Sequence, residues 1–239
     1  MNRIDKKFKT LKANGHKALI TYITAGDPNI KFMEDLVPFL DEVGVDIVEL
    51  GIPFSDPMAD GPVIQEASER AILKGTNLLK IFESVKHIRK KSQTPILLMG
   101  YYNNILQFGL EKATAKAAEV GVDGFLIVDL PPEEAGQFHR LCKKSHIHQI
   151  FLVAPTTGEE RLKKITRSAS GFLYYVSITG ITGAKLTDRK TLLEDLIKVR
   201  AASPIPVVVG FGIKGKGEVQ EVKKGADGVT KTGKTEGKN

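Results

Sequence analysis

Two carboxylates stand out by type and setting. Glu49 interrupts the apolar run Val48-Glu49-Leu50-Gly51-Ile52, and Asp60 follows in a loop stiffened by Pro53, Pro57 and Pro62. A carboxyl among apolar neighbours is poorly solvated, which raises its pKa and suits it to give and take protons near neutral pH. Alternation along a strand turns Glu49 inward if Val48 and Leu50 face covering helices. The prolines lower the entropy lost when the loop orders, so a second carboxylate can be held over the same opening. Such a pair can move protons on two sides of a substrate, and a divalent metal site or a Glu paired with a rim Lys are the competing readings. No His or Cys accompanies them, which argues against transition-metal ligation.

Further along, Ser177-Ile178-Thr179-Gly180-Ile181-Thr182-Gly183 and Gly210-Phe211-Gly212-Ile213 follow apolar runs and carry the small residues that let backbone N–H groups approach a phosphate. Gly210-Phe211-Gly212-Ile213-Lys214-Gly215 also fits a dinucleotide fingerprint, but no second nucleotide-binding half follows it. The stretch from Gly228 to Thr235 fits a P-loop pattern, yet too little chain follows to form the helix that would hold the phosphates. Cys142 and His139 share a helical phrase at a spacing more typical of a surface helix than of a nucleophilic pair.

The elements that must position these residues are short β-branched runs separated by helical patterns: KALITYITA, VDIVELGI, TPILLMGYY, VDGFLIVDL, HQIFLVAP, GFLYYVSI, IPVVVGFG and a weak ADGVTK. Continuous apolar strands alternating with amphipathic helices predict a (β/α)8 TIM barrel, whose strand C-termini carry the active site. Even spacing along residues 1–239 predicts a single domain without a linker. Phe32, Leu36, Phe39, Leu40 and Val43 form the expected buried stripe of the second helix, with a kink at Pro38. A Gly-Val/Ala-Asp phrase recurs at Gly44-Val45-Asp46, Gly121-Val122-Asp123 and Gly225-Ala226-Asp227, where Gly closes a helix before a strand opens.

Composition narrows the class. The chain has 239 residues, 41% in the hydrophobic set and 26% charged, figures of a globular protein and not of a disordered one. No apolar run is long enough to span a bilayer, and the charged opening lacks the features of a signal peptide. The single Cys142 fits a reducing compartment, most simply the cytoplasm. The net charge of +7 is spread along helix faces without interleaved aromatic residues, which argues against a nucleic-acid surface and is compatible with an anionic small substrate.

The strings TYITAGDPN, VELGIPFSDPMADGPVIQEASERA, GFLIVDLPPEE, YYVSITGITG and VVVGFGI resemble the tryptophan synthase alpha chain, in that family's order. The resemblance implies a (β/α)8 lyase that splits indole-3-glycerol phosphate into indole and glyceraldehyde 3-phosphate. It makes Glu49 and Asp60 the catalytic carboxylates. It places Tyr22, Tyr174 and Tyr101 around the indole, Thr182 as the lid threonine that bonds the loop aspartate, and Gly183, Phe211 and Gly212 as phosphate binders. By the same resemblance Pro53, Asp56 and Pro57 contact a beta chain in an alpha2-beta2 heterotetramer. The pyridoxal phosphate belongs to that partner, and no cofactor is expected in this chain.

The resemblance is clear over about residues 17–213, whereas the tail 229–239, reading VTKTGKTEGKN, departs from it. The expectation is a degenerate last strand, a missing final helix and a second phosphate loop without its Gly-Ser. An open apolar sheet face of that size would cost several kcal/mol at about 25 cal/mol per Å². An alternative therefore stands beside the lyase: a truncated, weakly active chain that serves mainly to bind and activate the beta subunit.

Overall fold

The computed structural model describes residues 1–176, 189–210 and 223–232. Its strands are β1 Ala18–Thr24, β2 Ile47–Gly51, β3 Ile96–Gly100, β4 Gly124–Ile127, β5 His148–Val153, β6 Leu173–Val176, β7 Val207–Gly210 and β8 Gly228–Thr232. All pair in parallel, in chain order, and close into a barrel. The helices around it are α1 Arg3–Ala13, α2 Ile30–Glu42, α3 Pro62–Leu73, α4 Leu78–Ile88, α5 Tyr102–Phe108, α6 Leu110–Val120, α7 Gly136–Lys144, α8 Glu159–Ser168 and α9 Arg189–Ala202. Several begin where a side chain satisfies a free backbone N–H: Asn2 accepts from Ile4, Asn29 from Phe32 and Asn77 from Lys80.

Period-two alternation sorts the strand residues into two cores. Ile20, Tyr22, Ile47, Leu97, Met99, Leu126, Ile150, Tyr174 and Val208 fill the barrel, while Val48, Leu50, Ile96, Leu98, Phe125, Phe151, Val207 and Val209 face the helices. α1 adds Ile4 and Phe8 to the inner core, so this helix plugs the N-terminal mouth of the barrel. Phe8 meets Phe172 there with ring centroids 5.7 Å apart.

The last strand, β8, is paired on both sides. Ala18 through Tyr22 pair in register with Gly228 through Thr232, and Val208 and Val209 pair with Gly228 and Val229 on the other side. Gly228 is required at this seam, because a Cβ would lie 2.8 Å from that of Ala18. On β1, outward-facing Leu19 is 39% exposed. Among the described residues β8 is the last element.

α2 differs from expectation in the face it buries. Met33 and Val37 pack inward, whereas Phe32, Phe39 and Val43 are 44%, 54% and 60% exposed. Two apolar stripes one residue apart compete on this helix, and packing beside α4 selects the one carrying Met33. The helix runs unbroken through Pro38.

The recurring Asp has a structural task that its spacing did not disclose. Asp46, Asp123 and Asp227 each accept the N–H of the preceding strand, from Leu19, Ile96 and Val207 respectively, at 2.9 Å. Their own N–H groups return to the carbonyls of the same three residues at 2.9, 2.9 and 2.7 Å. Each aspartate thus clamps the bottoms of two neighbouring strands and fixes their register.

Candidate active site

Glu49 lies on β2 between Tyr22 and Leu97 in register, and alternation turns it into the barrel as the flanking Val48 and Leu50 required. Its side chain is wholly buried, and neither carboxyl oxygen has a hydrogen-bond partner among the described residues. Burial without a compensating donor pushes its pKa from 4.5 up to about 8. A carboxyl in this condition keeps its proton at neutral pH and still gives it up readily.

Asp60 stands on the loop between β2 and α3 and is 8% exposed. Tyr101, the residue before α5, donates its hydroxyl hydrogen to Asp60 Oδ2 at 3.2 Å and accepts the Ala59 N–H at 2.9 Å. Gln65 of α3 donates to the Asp60 carbonyl at 2.8 Å, and Pro62 starts that helix in the first-turn position proline favours. Phe54 stacks on the Tyr101 ring at 5.1 Å. Burial raises the Asp60 pKa, and the Tyr101 hydrogen bond partly offsets that rise.

Tyr22 joins the two carboxylates. Its phenol is pushed well above its ordinary range, first by burial and further by the nearby charges of Asp60, Glu49 and Tyr101. Tyr174 on β6 is shifted the same way by burial and by Glu49. Both tyrosines lean over a glycine that ends the next strand: a Cβ on Gly51 would lie 2.1 Å from the Tyr22 hydroxyl, and one on Gly210 at 2.1 Å from that of Tyr174. The structure therefore gathers Glu49, Asp60, Tyr22, Tyr101 and Tyr174 at one place. Gly51, Gln65, Ala59 and Phe54 support the group and were not singled out in sequence, since a glycine or amide that serves a neighbour carries no local signature.

Thr182, Gly183, Phe211 and Gly212 lie outside the described residues. Pro53 is buried and its carbonyl accepts from the Asn104 amide at 3.4 Å, so it supports the loop and does not present it. Asp56 is exposed, Pro57 half-buried, and Met58, which sequence reading passed over, is 76% exposed. The turn before α2 is held to α3 by the Arg70 guanidinium, which bonds both Asp27 oxygens at 2.9 Å. Cys142 is buried and its thiol pushed up to about 12, in keeping with a packing role. Among the described residues no group of His, Cys, Asp and Glu is arranged to hold a metal ion.

The model of the family "Tryptophan synthase alpha chain" matches residues 8–234. The chain belongs to the tryptophan synthase alpha chain family. It is a family of lyases in tryptophan biosynthesis, and the match runs through β8, beyond the span over which the motifs alone were clear. The alpha chain of Geotalea daltonii is 50% identical over 229 residues, 96% of this chain and 87% of that one. That of Geobacter sulfurreducens is 52% identical with the same coverage. Among solved structures, the alpha subunit from Legionella pneumophila superposes with a TM-score of 0.90 at 42% identity, over 97% of this chain and 86% of that one. A chain of the tryptophan synthase complex from Pyrococcus furiosus gives 0.80 at 41% identity, over 90% and 86%. No helix among the described residues is long and apolar enough to cross a membrane.

Proposed function

We propose that the chain cleaves indole-3-glycerol phosphate to indole and glyceraldehyde 3-phosphate, with Glu49 and Asp60 as its catalytic residues. The bond between indole C3 and the glycerol chain breaks only after C3 gains a proton, which places positive charge on the ring nitrogen. Protonated Glu49 delivers that proton, and the resulting carboxylate takes the proton of the C3′ hydroxyl as the bond opens and the aldehyde forms. One proton is given and one recovered, so the glutamic acid is regenerated. Asp60 accepts the ring N–H and stabilises the cation as it develops. Tyr22, Tyr174 and Tyr101 line the indole, with Tyr101 also orienting Asp60. Thr182 acts as the lid contact to Asp60, and Gly183, Phe211 and Gly212 receive the phosphate. The reaction asks for no metal or organic cofactor in this chain.

The observation that carries this reading is the pairing of a buried Glu49, with both oxygens unpartnered, and an Asp60 held in place by Tyr101. Indole release from indole-3-glycerol phosphate tests it. Glu49→Gln and Asp60→Asn are each expected to lower kcat by about 10²–10⁴-fold, the contribution of a positioned acid or base. Undiminished indole release in either variant overturns the assignment of that residue.

The exposed part of the loop, Asp56, Pro57 and Met58, is proposed as a contact with a beta chain that carries pyridoxal phosphate and receives the indole, in an alpha2-beta2 assembly in the cytoplasm. Support comes from the exposure of this loop beside the site and from the likeness to a chain of a tryptophan synthase complex.

A further inference from the structure

At the opposite end of the barrel from Glu49, a cleft of about 690 Å³ opens beside the start of β5, between α7 and α8. Its floor holds Gln149, which is 1% exposed. The Gln149 Oε1 faces His139 Nδ1 at 3.2 Å, and its Nε2 has no hydrogen-bond partner among the described residues. A buried amide N–H left unmatched is costly, and native proteins supply a partner in the great majority of cases. Gln149 is one of the residues that line an open cleft, through which a partner for its buried amide can arrive from solution.

The charges around the cleft choose what that partner is. Lys143 of α7 and Arg167 of α8 line it, are exposed, and have no ionic partner among the described residues. The Met1 end of the chain lines it too. Its acidic side chain, Asp5, is already engaged by His148 Nε2 at 2.8 Å. His146 completes the wall from a left-handed backbone conformation (φ 56°), and its carbonyl accepts from the Asn2 amide at 3.1 Å. Buried Cys142 adds apolar lining. An amide donor at the floor, free cations at the rim and apolar lining between them match a molecule with a carboxylate and a small apolar body.

We propose that this cleft binds a small organic carboxylate, its carboxyl group received by Gln149 Nε2 and balanced by Arg167 and Lys143. The site is independent of the lyase reading, because its residues and the catalytic group lie at opposite mouths of the barrel.

The test is a titration of the full chain with benzoate, followed by the side-chain amide signals of glutamine and the imidazole signals of histidine in NMR spectra. Benzyl alcohol and inorganic phosphate serve as comparison probes. Expected is a saturable shift of the Gln149 amide, assigned by its loss in Gln149→Leu, together with a shift of His139. Affinity for benzoate should fall roughly tenfold in Gln149→Leu and several-fold in Arg167→Ala, each charge-assisted contact carrying a factor of that order. Arg167 is exposed, so its replacement tests the site even if Gln149→Leu proves poorly folded. No saturable shift, which would mean that water serves the amide, overturns the proposal. So does an equal response to benzyl alcohol, a response to phosphate alone, or benzoate binding unchanged in Arg167→Ala.

Discussion

A carboxyl group buried without a partner links folding to pH, and Glu49 is such a group. Its pKa is about 8 in the folded chain against an ordinary 4.5, so between those values the folded protein holds a proton that the unfolded chain has released. Stability therefore falls as pH rises through this window, and the penalty is complete above about pH 8. Glu49→Gln cannot ionise. Its unfolding free energy should match the wild type near pH 4 and exceed it increasingly towards pH 9, by an amount on the order of a few kcal/mol, with the thermal midpoint rising in step. A constant difference across that range would show that Glu49 is not desolvated. On the lyase reading, indole release by the wild type should also decline above about pH 8, as the proton needed at C3 is lost. Glu49 could be picked out in sequence because a lone acid in an apolar strand is conspicuous. The hold of Tyr101 on Asp60 could not, because it joins residues 41 apart in the chain through two separate loops.

Among the elements, the aspartates at the strand starts carry unequal loads. Asp46 clamps β1 to β2 and sits beside Lys7 at 3.5 Å. Asp123 clamps β3 to β4 and also binds Arg89 at 2.8 Å and Arg3 at 3.1 Å, with Arg89 buried enough to bring its pKa down to about 10. Removing Asp123 leaves a buried guanidinium without its counter-ion. Asp123→Ala should therefore cost about 3–5 kcal/mol, and Asp46→Ala about 1–2 kcal/mol for one strand N–H left unmatched. Urea unfolding of both variants measures the difference, and equal losses would remove the special role given to the Arg3–Asp123–Arg89 network. The Gly-Val/Ala-Asp phrase was readable as helix end and strand start because glycine signals the turn locally. That its Asp reaches back to the previous strand depends on which strands become neighbours.

For the molecule as a whole, both mouths of the barrel are occupied, one by the carboxylates and tyrosines and the other by α1. Phe8→Ala empties part of that plug and should destabilise the chain by about 3–5 kcal/mol. Indole release at low temperature should be little changed, because the plug lies at the far end from Glu49. Differential scanning calorimetry and the indole assay together check this, and a loss of activity without a loss of stability would contradict it. The amino-acid sequence by itself determined the barrel, the inward turn of Glu49 and the placing of Asp60 on a stiff loop, since each follows from local periodicity, burial preference or proline content. Only the tertiary structure decided that β8 closes against β1, that α2 buries Met33 instead of Phe39, that Gly51 and Gly210 make room for two tyrosines, and that Pro53 is buried. These outcomes depend on which surfaces meet across the barrel, and a single strand or helix does not encode its neighbour.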